Sequence, residues 1–71
     1  MASEVRFAAI RRLFETHGWY LDRIKGSHHV FSKAGVGSFG VPVHHDRVKA
    51  AYVKKIEQLF KEEDRQRQAR P

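Results

Sequence analysis

The stretch SFGVPVH, residues 38–44, alternates without a break between large apolar side chains and other residues. Its large apolar members all fall on one side of an extended strand, and they are Phe39, Val41 and Val43. The residues between them point to the other side, and they are Gly40, Pro42 and His44. A period of two is typical of an antiparallel sheet with one face on a core and one face open. Because proline cannot donate a hydrogen bond to a neighbouring strand, this strand is predicted to lie at a sheet edge, or to be bulged there.

Two further strands are predicted ahead of this stretch, over residues 19–24 and from His28 to Ser32 or Lys33. The first mixes aromatic and β-branched residues, which favour extended backbone, with two charged residues. The segment KAGVG, residues 33–37, joins the second strand to the third, and its glycines supply the backbone conformations of a hairpin. The three strands together predict one antiparallel sheet.

A helix is predicted before the sheet, over residues 4–17. Ser3 is its expected N-cap, and Glu4 lies in the first turn, where a negative charge suits the helix dipole. Apolar residues recur there at helical spacing, and they are Val5, Ala9, Ile10, Leu13 and Phe14. Gly18 follows as a left-handed stop.

A second helix is predicted after the sheet, with Asp46 as its cap. Its apolar stripe consists of Val48, Tyr52, Ile56, Leu59 and Phe60. The predicted folded domain spans residues 1–60, and the polar segment 61–71 is a charged C-terminal helix extension or a disordered tail. The predicted fold class is α+β, a single small domain in the order α-β-β-β-α, with both helices on one face of a three-stranded antiparallel sheet. The opposite face is left bare.

The composition limits the class of protein. A chain of 71 residues makes one domain, and such a chain buries only about 60% of its unfolded surface. It contains no cysteine for disulfides or thiolate metal sites, and no apolar run long enough for a membrane span or a signal peptide. These features predict a cytoplasmic protein. The net charge of +6 attracts polyanions such as nucleic acid, although small basic proteins without such partners are common.

Four of the five histidines form two doublets, which are His28-His29, within KGSHHVF, and His44-His45. Neighbouring side chains of a strand point to opposite faces, so His29 shares the inward direction of Phe31 and His28 points outward. By the same alternation His44 lies on the outward face. One histidine of each doublet could therefore meet at a single site, while its neighbour seals the interior or its margin.

Three interpretations of the histidines remain open. They can be exposed residues without a special role. A zinc site is disfavoured, because the doublets have no spacer and neither a cysteine nor a nearby glutamate completes a ligand set. The third is acid–base chemistry on a phosphate, since an imidazole both takes and gives protons near neutral pH.

RNA cleavage would need few groups. A base takes the proton of the ribose 2′-hydroxyl, cations stabilise the phosphorane, and an acid protonates the leaving 5′-oxygen, without a metal or cofactor. Lys25 supplies a positive charge suited to phosphate. Gly26 and Ser27 are small residues, so a bulky polyanion can come close to His28. The Ser27 hydroxyl can also donate a hydrogen bond.

Several motifs stand in a distinctive order along the chain. They are IRRLFETHGW at residues 10–19, DRIK at 22–25, GSHHVF at 26–31 and VPVH at 41–44. In this order the chain resembles the HicA toxins of prokaryotic toxin–antitoxin pairs, over residues 5–60. The second helix departs from the resemblance, because VKAAY at residues 48–52 lacks the Gly-Thr of many members.

The resemblance implies a fold like that of a double-stranded-RNA-binding domain and a metal-independent mRNA interferase that arrests translation. It implies that His28 is catalytic and that an antitoxin protein, HicB, binds the toxin and covers the site. HicB often carries a DNA-binding domain that represses the operon. His44 is a candidate second proton carrier, and the expected RNA contacts are Arg23, Lys25, Gly26 and Ser27. The alternatives are a non-catalytic RNA-binding module of the same fold and a protein-interaction module that uses the bare sheet face.

Overall fold

A computed structural model describes residues 4–69 of the chain, and its side chains from Glu4 to Arg67. The elements are β1 (Glu4–Arg6), α1 (Phe7–Thr16), β2 (Tyr20–Lys25), β3 (His28–Lys33), β4 (Gly37–Pro42), β5 (Arg47–Lys49) and α2 (Ala50–Ala69). The predicted α+β order of helix, three strands and helix is confirmed, and the short strands β1 and β5 are added to it. The predicted cap Ser3 lies outside the described residues, as do residues 70 and 71.

Strands β2, β3 and β4 form an antiparallel sheet in that order. β4 is therefore an edge strand, as its proline predicts, and Pro42 is its last residue. The sheet carries one irregularity, a register shift in β2 at Asp22, between Leu21 and Arg23. A bulge of this kind places an extra residue opposite its partner strand and bends the strand locally.

Both helices pack on one face of this sheet, here called the inner face. The fully buried side chains come from the helices, the sheet and β5, and they are Phe14, Phe31, Val41, Val48 and Ile56. Phe14 of α1 lies flat on Phe31 of β3, with 4.1 Å between the ring centroids. Burial of an apolar side chain of this size contributes about 1.5–3 kcal/mol. This cluster therefore holds the helices on the inner face and leaves the other face free.

The first helix begins at Phe7, three residues later than predicted. Residues 4–6 form β1 instead, which pairs with β5 so that Val5 lies opposite Val48. The backbone N–H of Phe7 donates to the carbonyl oxygen of Asp46 at 2.9 Å, and this contact sets the start of the helix. A strand pairing between distant segments thus outweighs the helical spacing of Val5. The helix ends at Thr16, and Gly18, with φ +85°, provides the predicted left-handed stop.

The prediction that Asp46 caps the second helix is wrong. α2 begins at Ala50, because Arg47, Val48 and Lys49 pair with β1 as a strand before the helix starts. Asp46 lies in the turn before β5, where its carbonyl oxygen caps α1 instead. Val48 is buried as its place in the apolar stripe predicts, but it reaches the core from β5.

α2 continues through Ala69, so the described part of the polar segment after residue 60 is helical. Glu63 ties this part to the rest of the fold. Its Oε2 accepts hydrogen bonds from Nε1 of Trp19 at 3.1 Å and from Nζ of Lys33 at 3.5 Å. Although α2 is 20 residues long, none of the helices described is apolar enough to cross a membrane.

Candidate functional site

The uncovered side of the sheet, here called the outer face, carries three of the six predicted site residues, which are Arg23, Lys25 and His28. Directly opposed residues of antiparallel strands project to the same side. The pairing therefore gives three rows across the outer face, which are Lys25–His28–Pro42, Arg23–Val30–Gly40 and Tyr20–Ser32–Ser38. The first row joins the predicted phosphate contact to the predicted catalytic histidine.

A two-residue turn makes Lys25 and His28 neighbours. Gly26 has φ +62°, whereas Ser27 has an ordinary negative φ, which is the pattern of a type II′ turn with glycine at its first central position. This turn matches the right-handed twist of the strands, so the chain returns with Lys25 directly opposite His28. Gly26 also leaves the turn open, since no other group lies within 4 Å of where its Cβ would be.

His28 is exposed and makes no hydrogen bond or ion pair with any described residue. Its Cδ2 lies 4.0 Å from the position that a Cβ on Gly40 would occupy. The ring therefore leans along the outer face toward Gly40. Because Gly40 has no side chain, that edge of the imidazole stays open to a ligand.

His29 takes the opposite direction, as the alternation predicts. Its side chain is half-buried, and its ring lies against that of Phe7, with 4.4 Å between centroids. Its Nδ1 is buried without a hydrogen-bond partner among the described residues. The first doublet is thus divided between an open imidazole and one at the margin of the core.

The second doublet, His44-His45, is not divided between an exposed and a half-buried side chain. His44 and Arg47 exchange both backbone hydrogen bonds, at 3.0 and 2.9 Å, around a tight turn. Its central residues, His45 and Asp46, have φ values of +51° and +67°. Both histidines are exposed, so the expectation that His45 seals the interior is wrong. The regular strand ends at Pro42, and alternation no longer applies in the turn.

His28 and His44 occupy different places relative to Pro42. His28 is directly opposite Pro42 and leans away toward Gly40, whereas His44 follows Pro42 by two residues, about 7 Å further along the chain. No hydrogen bond links the two rings. The pairing therefore places one histidine directly opposite Lys25, whereas His44 lies outside the paired strand, in the turn after β4.

The remaining predicted contacts surround His28. Lys25 is exposed and has no ion-pair partner among the described residues. Arg23, in the next row, has one weak exposed contact, from Nη1 to Oδ2 of Asp22 at 3.5 Å. Ser27 is half-buried, and its carbonyl oxygen accepts the N–H of Val43 at 2.7 Å, which fastens the turn to the edge strand.

Residues of the third row were missed from the sequence. Tyr20 is exposed on the outer face, and Ser32 opposite it donates from Oγ to Oδ2 of Asp22 at 3.0 Å. The bulge at Asp22 interrupts the alternation of β2, which hides the shared direction of Tyr20 and Arg23. Within residues 4–67, no three His, Asp or Glu side chains are grouped so as to hold a metal ion.

Comparison with known families agrees with this architecture. The family model described as the HicA toxin of bacterial toxin–antitoxin systems matches residues 8–67, which includes the whole outer face. The chain matches no curated protein and no solved structure. Since the family model covers most of its 71 residues, the chain belongs to the HicA toxin family.

Proposed function

We propose that this HicA-family toxin is an endoribonuclease that cleaves mRNA, with His28 as the side chain that moves protons. The observation that carries the proposal is the position of His28. It is an exposed imidazole directly opposite a lysine that has no ion-pair partner among residues 4–67, on a sheet face that neither described helix covers. This combination offers a proton carrier and a phosphate-binding charge to a ligand as large as an RNA strand.

The proposed reaction is transfer of the phosphate to the neighbouring 2′-oxygen. His28 takes the proton of the ribose 2′-hydroxyl, and the 2′-oxygen forms a bond to phosphorus. The bond from phosphorus to the 5′-oxygen breaks, and that oxygen gains a proton from an acid in the site or from water. The products are a 2′,3′-cyclic phosphate and a 5′-hydroxyl end. General acid–base catalysis of this kind contributes about 100- to 10,000-fold in rate.

Nearby positive charges support the same reaction. The phosphorane carries more negative charge than the starting diester, so a fixed cation beside it lowers the barrier. Lys25 is the proposed phosphate contact, Arg23 extends the positive charge along the face, and Gly26 and Ser27 give the backbone close access. The net charge of +6 favours association with a polyanion.

His44 has a smaller proposed role. Because His44 lies in the turn after β4 and outside the row of His28, we place it along the path of the RNA as a second proton carrier or phosphate contact that acts through the bound strand. Loss of His44 is therefore expected to matter less than loss of His28.

A HicB-like antitoxin is the proposed protein partner, because membership of this family implies an antitoxin. The outer face is the surface on which a partner protein would block RNA access to His28. We propose that the antitoxin inhibits the toxin by covering this face.

The proposal is tested with purified protein and RNA in the presence of EDTA. Wild-type protein is expected to cut RNA and to leave 2′,3′-cyclic phosphate ends, while His28→Ala lowers the cleavage rate by about 100- to 10,000-fold and keeps the circular-dichroism spectrum of the fold. Cleavage that requires added metal, or that His28→Ala performs at the wild-type rate, contradicts the mechanism. RNA binding without cleavage by wild-type protein identifies a non-catalytic RNA-binding module instead.

A further inference from the structure

Tyr20 is an exposed aromatic ring on the same face as His28. Its exposed fraction is 56%, and it lies in the third row of the outer face, opposite Ser32. The next residue across that row is Ser38, so both neighbours are too short to cover the ring. An uncovered aromatic ring on a sheet is a surface on which a nucleobase stacks.

The residue opposite this ring, Ser32, holds a hydrogen-bond acceptor. The bulge brings Asp22 to the outer face, where its Oδ2 accepts from Ser32 Oγ at 3.0 Å and lies 3.5 Å from Nη1 of Arg23. The other oxygen, Oδ1, receives no hydrogen bond from a described residue. It is therefore available to a donor on a ligand that stacks against Tyr20.

The spacing between Tyr20 and His28 suits a single RNA strand. Ser32, which lies opposite Tyr20, and His28 are both residues of β3. They lie four residues apart, which corresponds to about 13 Å along the strand. About four nucleotides cover that length at the stacked rise of about 3.4 Å, and fewer are needed when the strand is extended. Arg23 lies on the same face between the two ends, and Lys25 lies at the His28 end, so phosphates would pass both side chains.

We propose that Tyr20 and Asp22 form a base-recognition subsite for the RNA strand that is cut at His28. The inference rests on the proposed ribonuclease function and adds to it a site of sequence preference. A base stacks on Tyr20, and Asp22 Oδ1 accepts from its exocyclic amino group. Adenine, cytosine and guanine carry such a group and uracil does not, so the subsite favours those three bases. Arg23 and Lys25 give this face positive charge. That charge favours RNA as the occupant over a protein surface with few acidic residues.

The test compares variants on a random-sequence RNA pool, with the cut ends identified by sequencing. Wild-type protein is expected to disfavour uracil at one position within about four nucleotides of the cut. Tyr20→Phe keeps the rate and the preference. Tyr20→Leu lowers kcat/KM by about 5- to 100-fold, the range that loss of one base–aromatic stack gives. Asp22→Asn keeps most of the rate but weakens the discrimination against uracil.

Ile24 provides a matched control. It is 58% exposed on the same strand, but it pairs with His29 and so points to the inner side. Ile24→Ala is expected to cut RNA like the wild type. A Tyr20→Leu variant that cuts with wild-type rate and preference overturns the proposal. If the same variant loses only antitoxin binding, the proposal is also overturned, and Tyr20 is then a contact for the protein partner.

A second measurement separates this proposal from the proposed function. Fluorescence anisotropy of short labelled oligoribonucleotides is compared for His28→Ala and for His28→Ala combined with Tyr20→Leu. If the wild type cuts no RNA, the ribonuclease proposal fails, yet weaker binding by the double variant still supports the subsite. Equal binding by the two proteins overturns the subsite whether or not the wild type cleaves.

Discussion

The two faces of the central sheet are built from alternate residues of the same strands, and they differ in burial and in their contacts with the helices. On the inner face, Phe31 and Val41 are completely buried, and Phe31 stacks on Phe14 of α1. On the outer face, His28 and Tyr20 are exposed and have no helix above them. Adjacent residues of one strand thus serve the core and the candidate site separately.

This division has a consequence for substitutions. Removal of an inner side chain leaves a cavity in a close-packed interior and lowers the free energy of unfolding. Removal of an outer side chain leaves only solvent behind and changes what the face can bind or catalyse. Stability and activity should therefore respond to different residues of the same strand.

The largest expected effect is on the inner face. Phe31→Ala removes a fully buried ring that stacks on Phe14 and is expected to lower the free energy of unfolding by about 3–5 kcal/mol. That is much of the stability of a domain of this size. Urea denaturation followed by circular dichroism measures it. Val30→Ala, on the outer face next to it, should cost less than about 1 kcal/mol, and equal losses would contradict the division.

A smaller effect is expected on the outer face at Lys25. Lys25→Ala should weaken RNA binding by about 3- to 10-fold and should reduce the slope of log affinity against log salt concentration by about one. The midpoint of unfolding should not change. Lys54→Ala is the control, because it removes the same charge from an exposed position on α2. Binding losses of equal size in the two variants would show that net charge matters and the face does not.

The smallest effect is expected in the turn that holds the second doublet. His45 has a left-handed backbone with φ +51°, a conformation that costs most residues about 1–2 kcal/mol and glycine very little. His45→Gly is expected to raise the free energy of unfolding by about 0.5–1 kcal/mol and to leave RNA cleavage unchanged. Thermal unfolding and a cleavage assay measure the two quantities. A loss of cleavage would add this turn to the site.

Much of this division could be predicted from local sequence pattern. The alternation of residues 38–44 predicts the edge strand and its inner side chains. The faces to which His28 and His29 point follow from the inward direction of Phe31 on the same strand. Gly18 predicts the end of the first helix. These features depend on neighbours in the chain, so local spacing carries the information.

The wrong predictions concern contacts between distant segments. The start of α1 depends on an N–H to carbonyl bond from Phe7 to Asp46 and on the pairing of β1 with β5, which spacing within residues 4–17 does not reveal. The exposure of His45 depends on where β4 ends, because alternation stops in the turn that follows Pro42. The bulge at Asp22 likewise hid Tyr20, because alternation fails at an extra residue.

The central claim is tested most directly by the rate of RNA cleavage, in EDTA, of two variants that each lack one imidazole of the first doublet. His28→Ala should lose about 100- to 10,000-fold in rate at unchanged unfolding free energy. His29→Leu should retain the wild-type rate, and its free energy of unfolding should hold, because the change removes a buried nitrogen that no described residue hydrogen-bonds. Full cleavage by folded His28→Ala, or equal losses in both variants, would contradict the assignment of catalysis to the outer face.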